Sequence, residues 1–281
     1  MSVVLMGSWG RAEVTSGSDD DFMVLVRSDE HENVHPSVEE VKSILDRAPG
    51  DQGIFGRPVS SHRMVEKIGL EEDQNSNLSR RMLFLLESVH ATREGLYNTV
   101  REQLLDRYLD QSVKDFRPPR FLLNDVMRYW RTMCVDFAGK EHEGPYKWRI
   151  RNAKLRTARK ILFAGGLLPV FECARLEKQQ MTSYLQRQLQ MSPADRIAEA
   201  FLEHDAADPG ARALGAYDDF LGLLDDPIWR EGLEAVTRAD AKASPVFVEA
   251  IRLGDELQQG LLALLFESDS LPRLVREYGI F

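Results

Sequence analysis

The stretch GSWGRAEVTSGSDDDFMVLV, Gly7 to Val26, constrains this chain more than any other part of it. Val3, Val4, Leu5 and Met6 form a short apolar run closed by Gly7 and Ser8, the pattern of a buried strand entering a tight turn. Phe22 to Val26 is a second run of strand formers, and Asp19, Asp20 and Asp21 crowd its start. Side chains alternate along a strand, so Asp19 and Asp21 are expected on one face and Asp20 on the other. Two neighbouring carboxylates repel each other and call for a cation, and a purely oxygen donor set suits Mg²⁺. A Gly-Ser turn at a helix start leaves backbone N–H groups for phosphate.

Each piece alone is ordinary turn chemistry, because Gly, Ser and Asp are common turn formers. In combination they resemble the nucleotidyltransferase superfamily that includes DNA polymerase β, in which a Gly-Ser turn precedes an Asp-x-Asp. Gly7, Ser8, Gly10, Arg11, Glu13, Ser18, Asp19 and Asp21 fit the fuller pattern of its PII-uridylyltransferase-like branch. Asp20 departs from it, standing where that family usually has an apolar residue.

The resemblance implies an α+β chain: a small mixed-sheet nucleotidyltransferase core over residues 1–115, then an all-α helical domain over 116–281. It implies an enzyme that moves an NMP from an NTP to a hydroxyl of a protein, RNA or small molecule by two-metal chemistry. Asp19 and Asp21 become the catalytic pair and the ligands of Mg²⁺ (or Mn²⁺). Gly7 and Ser8 become the cradle of the nucleotide phosphates, Arg11 a phosphate contact or a brace for the loop, and Glu13 a buttress of the turn. The superfamily often carries a third carboxylate on a neighbouring strand. The strand expected here at Gly56 to Ser60 has none, and Asp51, Glu66 and Asp73 are only nearby candidates. Members usually carry a helix before the first strand. This sequence starts almost at the strand, so three expectations stand side by side: the fold is trimmed there, a partner or a second copy covers that face, or the true start lies upstream.

Composition narrows the class. An apolar content of 43% and a charged content of 29% over 281 residues describe a chain with material for a sizeable core. No apolar run reaches the roughly 20 residues of a membrane span, and no secretory leader is visible, so a cytoplasmic protein is expected. A formal charge of −9 argues against broad nucleic-acid binding but not against a local basic cleft. Cys134 and Cys173 sit in apolar contexts and read as buried free thiols.

Along the chain, Ser37 with Glu40 has capping-box spacing ahead of Val38, Val41, Ile44 and Leu45. Pro58 marks the third strand as an edge. Asn77 reads as the cap of a helix built on Leu78, Met82, Leu85, Leu86 and Val89, with Arg80 and Arg81 on its solvated side. Pro118 and Pro119 end the first domain. Beyond them Asn124 or Asp125 is expected to cap a helix that aligns Asn124, Arg128 and Arg131.

The run YKWRIRNAKLRTARKILFAGG reads as one helix ended by Gly165 and Gly166, with seven basic residues and no acid. Like charges on a helix repel, so this run suggests phosphate contact by Lys147, Arg151 and Lys154, joined by Arg128 and Arg131. A face docked on the acidic domain is the structural alternative. Two other functions stay open: a non-catalytic nucleotide-binding regulatory or interaction module, and a toxin-type RNA-modifying transferase.

Overall fold

The computed structural model describes residues 1–27, 35–47, 49, 55–69, 71, 73–110, 112–143 and 148–279. Four strands, β1 (Ser2–Met6), β2 (Phe22–Val26), β3 (Arg57–Ser60) and β4 (Ser88–His90), are accompanied by helices α1 (His35–Ile44), α2 (Ser61–Glu66), α3 (Asn75–Leu86) and α4 (Glu94–Tyr108). The rest is helical: α5 (Arg120–Glu143), α6 (Trp148–Arg156), α7 (Ala158–Glu172), α8 (Lys178–Gln190), α9 (Pro193–Glu203), α10 (Ala207–Asp225), α11 (Pro227–Ala235), α12 (Pro245–Glu267) and α13 (Leu271–Tyr278). The chain forms two compact units. One holds Met1–Val14, Ser18–Asp125 and Cys173–Ser192; the other holds Thr15–Gly17, Val126–Glu172 and Pro193–Phe281.

The first unit contains the sheet, in the order β3-β2-β1-β4. Strand β1 runs antiparallel to both β2 and β4, while β2 and β3 are parallel, so the sheet is mixed and β3 is an edge, as Pro58 predicts. The register pairs Val4 with Met23 and Met23 with Arg57. Every residue of β2 is buried because it lies between two strands and under both faces. On one face Phe22, Val24 and Val26 pack with Val38 of α1, and Val3, Leu5, Val41 and Leu45 surround them. Helix α1 begins at His35, ahead of Ser37, and Ile44, expected in its apolar stripe, is 75% exposed. Val89, expected on the apolar stripe of the helix over Leu78 to Leu86, instead lies exposed in β4, because α3 ends at Leu86 and the chain pairs with β1; helix α2 is not foreshadowed by the sequence pattern.

Helix α8 belongs to this unit although it lies far along the chain. Phe116 N donates to Leu176 O (2.8 Å), and Lys178 N donates to Asp115 Oδ1 (2.7 Å). Helix α3 starts at Asn75, so Asn77 is inside it; its Nδ2 donates to Asp73 Oδ1 (2.9 Å) and to Arg63 O (3.2 Å). The larger correction concerns Arg81, expected on a solvated side. It is fully buried, as is Asp125, expected as a helix cap but seated a turn inside α5.

In the second unit the basic run is two helices. Thr157 separates α6 from α7, and its Oγ1 donates back to Ala153 O (2.8 Å), a bond that bends helices. Gly165 and Gly166 do not end α7, which runs on to Glu172 because the apolar Leu167, Leu168, Val170 and Phe171 are buried in it. Helix α12 buries Leu253, Leu257, Leu261 and Leu264, and α13 buries Leu271 and Leu274. Cys173 is buried and Cys134 half-buried, both free.

Candidate active site

The site begins where β1 hands over to its turn. Gly7 has φ +61°, a left-handed conformation that costs an ordinary residue about 1–2 kcal/mol. A Cβ at Gly7 would stand 2.9 Å from Asp21 Oδ2, so glycine is what lets the Asp21 carboxylate lie against the turn. The ladder continues one step past the strands, with Met6 N donating to Asp21 O (2.9 Å). This brings the two halves of the motif, separated by the intervening loop, into contact.

The turn is wound by Arg11 N to Gly7 O (3.1 Å) and Glu13 N to Ser8 O (2.8 Å). Gly10 lies on the backbone of Glu87, since a Cβ there would fall 1.9 Å from its carbonyl oxygen. Arg11 is bound by two carboxylates, with Nε on Glu13 Oε2 (2.6 Å) and Nη1 on Glu87 Oε2. These are the contacts of a brace, and Glu13 serves as its buttress. Glu87, which the sequence pattern did not single out, is buried at the C-terminal end of α3, just before β4, and joins the turn to that junction.

The three consecutive acids are treated differently. Asp20, the departure from the family pattern, accepts from Trp9 Nε1 (3.0 Å) and from Arg47 N (3.0 Å). Its own N–H donates to Arg47 O (2.9 Å), so Asp20 closes the loop rather than interrupting an apolar face. Asp21 rests against Gly7. Asp19 is exposed, and its carboxylate has no hydrogen-bond partner among the described residues. Two carboxylates, one of them open to solvent, suit Mg²⁺, which keeps waters and substrate phosphates in its remaining positions. Among the described residues no group of three or more His, Cys, Asp or Glu side chains gathers as a metal cage.

Of the third-acid candidates, Asp51 lies outside the described residues and Glu66 is exposed at the end of α2. Asp73 is bound to Arg81 through Oδ1 to Nη1 (3.0 Å) and Oδ2 to Nη2 (2.9 Å). Arg81 Nη2 also reaches Asp125 Oδ2 (2.8 Å), its Nε donates to Tyr108 Oη (2.6 Å), and Tyr108 Oη donates to Asp125 Oδ2 (2.7 Å). Burial raises the Asp73 pKa, but the hydrogen bonds from Arg81, Gly69 N and Asn77 outweigh it and hold the carboxyl below its ordinary value. Burial likewise pushes the Tyr108 phenol well above its ordinary range. Asp73 is therefore a structural ion-pair partner. A charged residue spaced i+3 from Leu78 on an apolar stripe was the available signal for its partner Arg81.

The remaining predicted phosphate contacts belong to the second unit. Lys147 lies outside the described residues. Arg128 and Arg131 are carried on α5, half-buried and exposed respectively, while Arg151 and Lys154 are half-buried on α6. Others from the same basic run serve structure. Arg149 is buried, stacked 3.4 Å from the Trp148 ring centroid, and donates to Thr237 O (2.7 Å). Arg156 pairs with Asp255 of α12 at 3.2 Å, so acids absent from the basic run arrive from elsewhere in the chain. Burial, then the neighbouring Arg156, lowers the Lys160 pKa to about 8.

No family model, no curated protein and no solved structure matches this chain.

Proposed function

We propose that this protein is a Mg²⁺-dependent nucleotidyltransferase that moves an NMP from an NTP to a hydroxyl group. The observation that carries the reading is the seating of Asp21 against Gly7 at positive φ. It joins a phosphate-cradling turn to a carboxylate in the order that nucleotidyl transfer requires. Asp19 and Asp21 would hold the metal, which when bound would neutralise phosphate charge and polarise the transferred group. Gly7 and Ser8 hold the β- and γ-phosphates with backbone N–H groups and the Ser8 hydroxyl. Arg11, Glu13 and Glu87 keep that turn in shape. The acceptor oxygen forms a bond to the α-phosphorus, the bond to the β-phosphate oxygen breaks, pyrophosphate leaves, and the hydroxyl proton passes to water.

The test is incubation of the full chain with each radiolabelled NTP, Mg²⁺ and cell lysate, followed by separation of protein, RNA and small molecules. Label in one fraction, lost in Asp19→Ala/Asp21→Ala with the melting curve unchanged, is the expected result. Transfer retained by the double variant would end the assignment. The lack of a carboxylate on β3 favours a second reading, a nucleotide-binding module without transfer. That module would bind NTP and label nothing.

A further inference from the structure

Three side chains of the second unit, far apart in sequence, meet in one hydrogen-bonded line. Glu172 closes α7, His204 sits in the turn after α9, and Ser270 immediately precedes α13. His204 Nε2 lies 2.7 Å from Glu172 Oε1, and His204 Nδ1 lies 3.2 Å from Ser270 Oγ. The elements beneath hold this geometry. Helices α7 and α9 meet backbone to backbone, since a Cβ on Gly165 would stand 2.7 Å from Pro193 O, and Arg196 Nη1 donates to Gly165 O (3.2 Å). The turn that carries the imidazole is closed by His204 N to Ala200 O (3.1 Å) and Ala206 N to Phe201 O (2.8 Å), with Asp205 at φ +52°.

The roles follow from what each group can donate. An ionised carboxylate only accepts, so the imidazole proton belongs on Nε2, facing Glu172. Nδ1 then carries a lone pair and accepts the Ser270 hydroxyl proton. The His204 and Glu172 side chains are 4% and 7% exposed, so base and carboxylate are shielded from water. Ser270 is exposed, so its hydroxyl is open to a substrate. Ser270 holds the N-cap position of α13, yet its Oγ makes no cap bond. Turned to the imidazole instead, it stands beside the first-turn N–H groups of Leu271 and Arg273, at the positive end of the helix. Nucleophile, base, orienting carboxylate and N–H donors for an oxyanion are the parts of acyl transfer, and they are known by geometry and not by chain order. Here the two ring nitrogens exchange their usual parts, with Nδ1 as the base.

We propose that Ser270, His204 and Glu172 form a second catalytic centre, a serine esterase for uncharged esters. Ser270 Oγ bonds to the acyl carbon as its proton passes to His204 Nδ1. The ester C–O bond breaks, and the departing alcohol oxygen takes that proton. Water then bonds to the acyl carbon and gives a proton to Nδ1; the acid leaves as Ser270 Oγ takes the proton back. Glu172 orients the ring and balances the imidazolium charge. The surroundings select the substrate. Within three residues of His204 or Ser270, Glu203, Asp205, Glu267 and Asp269 are exposed acids, against one cation, Arg273. That field repels phosphorylated or carboxylated substrates. Leu202 and Phe266, 69% and 49% exposed, put apolar surface two and four positions away along the chain. An uncharged ester with a short apolar acyl group meets both conditions.

The test uses the full chain without nucleotide or Mg²⁺, so its outcome does not depend on the nucleotidyl-transfer reading. A fluorophosphonate probe, which bonds to activated serines, is followed by peptide mass, and para-nitrophenyl butyrate hydrolysis by released nitrophenolate. Label on Ser270 and turnover of the ester are expected. Both should vanish in Ser270→Ala, whose melting curve should not move because the side chain is exposed. Ser183→Ala, which removes an exposed hydroxyl from α8, should change neither. Glu172→Gln should lower kcat by about a hundredfold or more and leave KM unchanged, the split expected of a residue that orients the base. If that buried change fails to fold, Ser270→Ala still decides the proposal. The anionic para-nitrophenyl hydrogen succinate should be cleaved about tenfold more slowly than the butyrate, or worse. An unlabelled wild type, an ester left intact, or label and turnover kept by Ser270→Ala would overturn the centre. Equal cleavage of the two esters would overturn the substrate class.

Discussion

Arg80 and Arg81 are consecutive residues of one helix with opposite surroundings. Arg81 is turned inward, fully buried, and its guanidinium meets two carboxylates and a phenol. Arg80 is half-buried among Arg57 and Arg63 and has a nitrogen left without a partner. A buried charge persists only where its desolvation is offset by partners, and the inner cluster meets that condition completely. Arg80 does not among the described residues, since its Nε is enclosed with no partner. The comparison can be broken at either end.

The largest effect is expected inside. Arg81→Met removes the guanidinium that Asp73 and Asp125 share, and removing one partner of a buried ion pair costs about 3–5 kcal/mol. Urea unfolding should register that loss. The pH dependence sharpens it. In the native protein Asp73 is held below its unfolded value, so its contribution is present above pH ~4 and is lost as pH falls through the folded pKa. In Arg81→Met the hydrogen bonds from Gly69 N and Asn77 still oppose burial, but the largest downward pull is gone, so the Asp73 pKa rises toward its unfolded value and the loss of stability with acid should shrink. A variant whose stability falls as steeply with acid as the native protein's would place the proton elsewhere.

How legible each region was follows from the range of the interactions that make it. Strands β1 and β2, the Gly7–Ser8 turn and the edge position of Pro58 rest on neighbours in sequence, and alternation and turn chemistry report them. The inner cluster joins Asp73, Arg81, Tyr108 and Asp125 from four separate segments, so no local pattern announces it. The hint was a charge on an apolar stripe in α3 and again in α5, where Asp125 lies among the buried Leu122, Val126 and Tyr129. Arg57 is legible only through register, since nothing in Arg-Pro-Val-Ser says which strand stands beside it. The basic run looked like a uniform charged helix because its acid, Asp255, lies on α12, far along the chain.

At the turn the expected effect is intermediate. Gly7→Ala must hold a left-handed backbone, about 1–2 kcal/mol, and it sets a methyl group 2.9 Å from Asp21 Oδ2. The melting temperature should fall by a few degrees. Transfer activity should fall much further, because the substitution displaces one of the two acids. A variant that loses stability but keeps full activity would detach Asp21 from the chemistry.

Arg80→Gln should give the smallest change in stability, and its sign decides the comparison. If Arg80 contributed to the fold as Arg81 does, its loss would cost several kcal/mol. Surrounded by cations, it should cost nothing, and relief of repulsion should raise stability by a few tenths of a kcal/mol. Added salt screens the same repulsion, so the gain should shrink as ionic strength rises, which thermal melts at two salt concentrations can read. A stabilised variant would show that the fold does not need the Arg80 charge. A destabilised one would make Arg80 a second structural arginine, and the difference between neighbouring residues 80 and 81 would disappear.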